Sequence, residues 1–528
     1  MKIRSRRRMI TVLAAVLTAL LVMTSAVTVS AADSGSHKVQ LPFTKDVSVN
    51  WNWNDLLKDA SKANENVELA VAGLALSRNA EVLRVKAEDT LRELGFENIQ
   101  SDYYQLSTDH HVTIEKPART FAHKTITSNG KQYNIVCALF KGTTTLPDAI
   151  TDINSLKDGF YYAGWNCKEA LKEYLAGISG STKDNTILFI TGHSLGASTA
   201  NMVGELCLDE NLLSEDQVFV YAFASPNYRT DGKENDGQKH LNFRTFTNEN
   251  DVVPTVPPNY TRINKPLEHK FDYNKLSAAQ KKKFNRIYEY FRDRTFEEDT
   301  SLLGLGLGDP EDFKTYETLK NHLAHTYMSF ILSELSDKHI DEHLSKLKAS
   351  DLKVSSPLKL IKGKTKAIPA TATNKMSFTS SSPAVATVTG NKAKGMKNGQ
   401  ATITVKAEGS AKLKTGEAKV KVIVKTANTL KVKGKTAKVK AGKKSKKLKR
   451  TKFLKAKKVL KIKGAKGPVT FSKKSGNSKI KVNKKTGKVT VKKGLKKKTY
   501  KVKVAVKAAG NSSYWPKKVI KTFKIKVK

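Results

Sequence analysis

ILFITGHSLGASTANMVGELCL, residues Ile187 to Leu208, divides into a short apolar strand, a five-residue turn flanked by glycines, and a helix. The apolar run Ile187 to Thr191 has strand length, and Leu195 to Leu208 carries apolar residues at helical spacing. At the centre of the turn stands Ser194. A strand that bends sharply into a helix lifts such a hydroxyl above a sheet, and glycines at 192 and 196 are the residues that fit so tight a bend. The helix beginning near Leu195 directs its unpaired N–H groups and positive dipole end toward the same place. The five letters G-x-S-x-G also occur by chance, so their meaning rests on what lies around them.

The flanking sequence repeats one pattern. Val67 to Arg78 and Ala80 to Leu94 have helical spacing, the second ending at Gly95; Tyr133 to Phe140 (YNIVCALF) is a continuous apolar strand. Tyr161 to Leu175 is helical, and Val218 to Ala224 and Phe243 to Thr247 are strands. Strands that are apolar throughout and alternate with helices belong in a parallel sheet covered on both faces. The region Lys38 to Lys348 is therefore expected to be an α/β domain with a mostly parallel sheet.

A serine nucleophile at such a turn requires an acid and a histidine further along, in that order. Asp251 ends a strand-like stretch at the proline-rich turn Phe246 to Pro254. His322 and His325 follow in Asn321-His322-Leu323-Ala324-His325-Thr326-Tyr327. Singly, Asp251 reads as a turn cap and either histidine as a packing residue; in order after the turn they read as acid and base.

These segments resemble the class 3 lipases, the fungal-lipase-like branch of the α/β-hydrolases. Ala138 to Thr143 is similar to that family's strand and oxyanion loop, with Lys141 at the usual Arg position. Asp148 and Asp152 resemble its D-x-x-x-D stretch. Tyr162 to Trp165 resembles H-x-G-F, with Tyr at the His position. Gly192 to Gly196 is its G-H-S-L-G, Tyr221 to Pro226 resembles its next strand, and Asn248 to Pro254 its acid loop. The likeness runs from about Glu65 to Leu332. It implies Ser194 as nucleophile, Asp251 as acid and His322 as base, His322 being preferred to His325 because His322 to Tyr327 fits H-x-x-x-x-Y. It further implies oxyanion donors at Thr143 and at the Leu195 backbone, and two-step acyl transfer on lipid esters with no metal or organic cofactor. His193, beside the nucleophile, is not expected to be the base.

Two segments resist assignment to that chemistry. Ser301 to Pro310, lying between Asp251 and His322, which are 71 positions apart, has G-x-G spacing, but no strand precedes it and no Lys-Ser/Thr follows, which excludes a phosphate loop. It reads as a lid or as a plain loop packing its leucines. Asp109-His110-His111 reads as an exposed turn. Cys137, Cys167 and Cys207 cannot all pair with one another and sit in strand and helix patterns, as reduced core cysteines do. No cysteine or histidine spacing suits zinc.

The ends of the chain differ from its middle. Lys2, Arg4, Arg6, Arg7 and Arg8 precede the apolar run Met9 to Met23 and the small residues Val29-Ser30-Ala31, a pattern that predicts an export signal over 1–31, with an uncleaved anchor as the alternative. No other stretch is long and apolar enough to span a bilayer. The net charge of +47 lies in the last third: Asp351 to Lys528 holds 54 basic and 3 acidic residues, the first 350 residues 41 and 45. There, Lys alternates with Val and Ile, so one strand face can bury while the other carries ammonium groups. We read two all-β Ig-like sandwich modules, at 351–425 and 428–528; a disordered basic tail is opposed by the period-2 pattern. Ser380 to Val388 with Gly399 to Val405 is similar to bacterial group 2 Ig-like domains (BIG2), and Asn483 to Val491 to Lys-rich Ig-like repeats of bacterial surface proteins.

The sequence thus predicts a secreted, extracellular serine ester hydrolase held by basic modules to an anionic surface such as cell-wall polymers. Nucleic acid is disfavoured, because Arg450 is the only Arg in the basic part and Arg is the usual reader of base edges. The alternatives are a surface-adhesion or wall-binding protein whose hydrolase-like domain is not catalytic, an esterase for phospholipids or acylated polysaccharides, and a basic region that is only a soluble spacer.

Overall fold

The computed structural model describes residues 34–41, 45–57, 66–82, 84–103, 117–142, 157–232, 240–263, 268–292, 321–442 and 445–528. The expected export signal at 1–31, Asp109 to His111, Thr143, Asp148, Asp152 and Ser301 to Pro310 lie outside these residues. Two compact units divide the chain at Leu347 and Lys348.

The first unit opens with an antiparallel hairpin of β1 (Ser34–Gln40) and β2 (Asp46–Asn52). Helices α1 (Val67–Val82) and α2 (Arg84–Glu93) follow, then strands β3 (Glu97–Asp102), β4 (Arg119–Ser128) and β5 (Lys131–Phe140). From there strand and helix alternate: α3 (Tyr161–Ala176), β6 (Thr186–His193), α4 (Leu195–Asp209), β7 (Val218–Phe223), β8 (Phe243–Asn248) and β9 (His269–Phe271). Helices α5 (Ala278–Arg292), α6 (Ala324–Ser333) and α7 (Asp337–His343) close the unit.

Strands β3 to β9 form one seven-stranded sheet in sequence order. From β5 to β9 all pairings are parallel, whereas β3–β4 and β4–β5 are antiparallel. The sheet is therefore mixed, with its antiparallel pairs at one edge. The reason is in the connection: Asn129 and Gly130, both at positive φ, turn β4 directly into β5, too short a link for a crossover helix. Strands β6 and β7 are buried along their whole length, as a central parallel strand covered on both faces must be. Val136, Leu188, Ile190 and Val220 pack on one side against α3 and α4, through residues such as Leu171, Ala200 and Val203. Cys137, Cys167 and Cys207 are free and buried, and burial pushes all three thiols up.

The second unit contains two hydrophobic cores and one strand arrangement used twice. The first core gathers Leu358, Leu360, Ile403, Val420, Val422 and Val424; the second gathers Phe471, Val489, Val502, Val504, Phe523 and Ile525. In each, a four-stranded sheet has its first strand running parallel to its last: Leu358–Ile361 beside Gly416–Lys425, and Thr436–Val439 beside Lys517–Val527. A three-stranded sheet accompanies each. Thr499–Ala508 shows how so basic a sequence folds: Lys501, Lys503 and Lys507 face solvent while Tyr500, Val502, Val504 and Val506 are buried.

Candidate active site

The turn after β6 is built from glycines that cannot be replaced without collision. A side-chain carbon on Gly192 would strike the Gly196 carbonyl, and one on Gly196 would strike the Phe140 carbonyl at the end of β5. Between them Ser194 adopts φ 57° and ψ −130°, a conformation rarely tolerated outside strained functional turns. Its amide donates to the Phe223 carbonyl at 2.9 Å, and its carbonyl accepts from the Ala197 amide at 2.9 Å, so the turn is tied to β7 and to the first turn of α4. Leu195 is the first residue of α4, where an amide has no partner within the helix.

Asp251 and His322 arrive from two different segments. The acid loop leaves β8 at Asn248, whose side-chain oxygen accepts from the Asn250 amide at 3.1 Å and whose carbonyl accepts from the Asp251 amide at 2.9 Å. Asp251 is buried; its Oδ1 accepts from the Val253 amide at 3.0 Å. Farther along, Arg262 donates to the Pro254 carbonyl and to the Asn227 side chain while paired with Glu268, which anchors the far side of the loop.

The three side chains meet in one line. Ser194 Oγ lies 2.8 Å from His322 Nε2, and His322 Nδ1 lies 2.8 Å from Asp251 Oδ2. Burial by itself would raise the Asp251 carboxyl, but His322 and the loop donors outweigh it and hold the group below the usual carboxylate range. The Ser194 hydroxyl thus donates to a ring whose other nitrogen donates to a carboxylate.

His325 sits elsewhere, on the first turn of α6, buried with its ring 5.3 Å from that of Tyr288. Burial first, and Arg78 second, lower its pKa to about 3. A neutral core imidazole of this kind is a packing residue.

Two residues to which the sequence reading gave no chemical role also converge here. Tyr327 donates to Asp251 Oδ2 at 2.8 Å and accepts from the Asn248 amide at 3.1 Å. It appeared in the sequence only as a spacing marker, and no local pattern shows that its hydroxyl reaches an acid 76 positions away. Glu81, on α1, lies 2.5 Å from His193 Nδ1 and pairs with Arg78 at 3.1 Å. In sequence it is one acidic residue in a helical pattern, with nothing to mark it as buried.

Residues 123–261 match the family model described as Lipase (class 3). This stretch holds Ser194 and Asp251 but ends before His322, and α1 with Glu81 precedes it. No curated protein matches the chain. Among solved structures the chain is similar to human mucin-like protocadherin EC1-2 at 10% identity, covering 34% of this chain and 98% of that one, with a TM-score of 0.16. It is also similar to an endo-fucoidan hydrolase of glycoside hydrolase family 107 at 15% identity, covering 33% of this chain and 28% of that one, with a TM-score of 0.13. TM-scores this low do not establish a shared fold.

The buried His325 has a consequence for stability. With a folded-state pKa near 3 against about 6.5 for an unfolded histidine, the unfolded chain takes up a proton that the folded chain refuses. Its contribution is intact above pH 6.5 and is lost as pH falls toward 3. We expect the urea midpoint of the full chain to drop less between pH 6.5 and 5 in His325→Leu than in wild type. Equal slopes would show that this ring is not buried neutral.

Proposed function

We propose that the chain is an exported serine carboxylic-ester hydrolase acting on lipid esters. The observation that carries this reading is the unbroken hydrogen-bonded line from Ser194 through His322 to Asp251. In the proposed first step His322 takes the Ser194 proton while Oγ attacks the ester carbonyl. Asp251 keeps the proton on Nδ1 and stabilises the imidazolium, which then protonates the leaving alcohol. Water, activated by the same ring, releases the acyl group. The Leu195 amide suits the developing oxyanion because it is the first N–H of a helix. Thr143 follows Gly142, where an added side-chain carbon would lie 3.4 Å from Ser194 Cβ, and it is our candidate for the second donor.

A lipid ester, the substrate class implied by the family match over 123–261, fits the apolar rim of the acid loop, where Val252 is 50% exposed and Val256 42% exposed. The reading is tested with a soluble short-chain chromogenic ester. Ser194→Ala should lose at least about a thousandfold in kcat, on the scale that nucleophile removal costs serine hydrolases. Equal turnover by wild type and variant would leave the adhesion-protein reading in its place.

The basic unit is proposed to tether the enzyme to an anionic polymer. Its support is electrostatic. Lys501 sits directly opposite Lys524, and Lys438 opposite Lys526, on exposed strand faces. Like charges placed across a strand pair cost up to about 1 kcal/mol each, so they bring no stability to the sheet. Retention on purified cell walls should therefore be strong at low salt and fall steeply as ionic strength rises. No retention at low salt would make the unit a spacer.

A further inference from the structure

Strand β6 presents Thr191 and His193 on one face, two residues apart, and α1 lies along it in matching steps. Gly73 lets the helix approach: a side-chain carbon there would sit 3.1 Å from Thr191 Oγ1 and 3.3 Å from Tyr221 Cβ. One turn on, Ser77 Oγ is 2.9 Å from Thr191 Oγ1, which donates to the Tyr221 carbonyl at 2.8 Å and lies 3.1 Å from the Gly73 carbonyl. A further turn brings Glu81 to His193. Four residues of helix advance about 6 Å and two residues of strand about 6.6 Å, so Ser77 and Glu81 stay in step with Thr191 and His193.

His193 is held at both nitrogens. Nε2 lies 2.9 Å from the backbone carbonyl of His322, an atom that can only accept, so Nε2 carries a proton. Nδ1 faces the Glu81 carboxylate. Burial would raise Glu81, but His193 and Arg78 overcome it and bring its pKa down to about 2. Both side chains are almost wholly buried, Glu81 at 3% and His193 at 4% exposure. A buried acid–imidazole contact is weak evidence for stability, because desolvation offsets much of its attraction. Its distinctive contact is the one it makes to the turn that bears His322.

That turn is gripped at two successive carbonyls. Asn248 Nδ2 donates to the Asn321 carbonyl at 3.0 Å, and His193 Nε2 to the His322 carbonyl. Two fixed carbonyls set the peptide planes on either side of the His322 Cα and hence the direction of its side chain. The His193 and His322 rings also lie 4.9 Å apart between centroids. Glu81 also lies close to Gly142, since a side-chain carbon there would come 2.7 Å from Glu81 Oε1 and 2.6 Å from the His193 carbonyl.

We infer that Glu81 and His193 form a second acid–imidazole pair, behind the Ser194–His322–Asp251 line, that aims the His322 ring at Ser194 Oγ. Both are positioning residues, acting through His322 without touching substrate. The inference rests on the esterase reading above. It lies outside what a match over residues 123–261 assigns, because Glu81 comes from the preceding helix.

The test compares kcat and KM on the soluble short-chain ester for full-length variants shown to be folded by circular dichroism and thermal midpoint. A base displaced by about 1 Å can cost on the order of a hundredfold in rate while leaving ester binding alone. His193→Phe, which cannot donate to the His322 carbonyl, should therefore lose about 10- to 100-fold in kcat, with KM within about twofold. His193→Gln, whose amide still reaches that carbonyl, should recover most of the loss. Glu81→Leu should match His193→Phe, and the double variant should be no more than about threefold worse than either, because the two act as one unit.

Wild-type kcat in folded His193→Phe, or losses that multiply in the double variant, would overturn the inference. Should Glu81→Leu not fold, the Phe and Gln variants at 193 decide by themselves. An inactive wild type would sink the esterase reading and this one together, whereas an active wild type with an unaffected His193→Phe would sink this one alone.

Discussion

A hydroxyl at the end of β6 is useful only if the backbone beneath it leaves room, and that requirement shapes the first unit. The Ser194 turn folds so tightly that Gly192 meets the Gly196 carbonyl and Gly196 meets the end of β5. Strand β6 must be central for both flanking strands to support the bend, and α4 must start at once for its first amides to face the hydroxyl. Small residues inside α4 serve the same end. Gly204, for example, lies so close to Val220 and Phe243 that a side-chain carbon would come 2.7 Å from each.

Around that turn the polar groups are arranged in shells. The inner line is Ser194, His322 and Asp251. Tyr327 and the Val253 amide hold the acid, Asn248 ties the acid loop to the turn before α6, and Arg262 anchors the loop from behind. This division is economical in burial. Asp251 is nearly inaccessible yet has donors on both oxygens, which is what keeps a buried carboxylate ionised.

The sequence made the inner line legible and the supports not. Ser194, Asp251 and His322 were visible because each lies in a local pattern with a chemical reason: a glycine-flanked turn, an acid after a strand, a histidine after the acid. Alternating apolar strands and helices indicated the sheet from β5 to β8. What escaped depends on contacts between distant segments. The antiparallel edge came from the short Asn129-Gly130 turn, and β3 and β4 mix polar and apolar residues without the continuous runs of the central strands. Glu81 and Tyr327 have ordinary sequence surroundings, and only the docking of α1 and α6 brings them to the site. In the basic unit, alternation of Lys with Val sufficed to read the strands. That a single strand arrangement occurs twice needed the pairing itself.

Ser194 should be reactive because folding brings His322 to it. The most direct measurement is covalent labelling of the full-length protein with a fluorophosphonate, followed by peptide mapping. One residue, Ser194, should be phosphonylated in wild type, with labelling slowed at least about a hundredfold in His322→Ala, as expected when a general base is removed. Failure of Ser194 to react, or the same labelling rate without the imidazole, would contradict it.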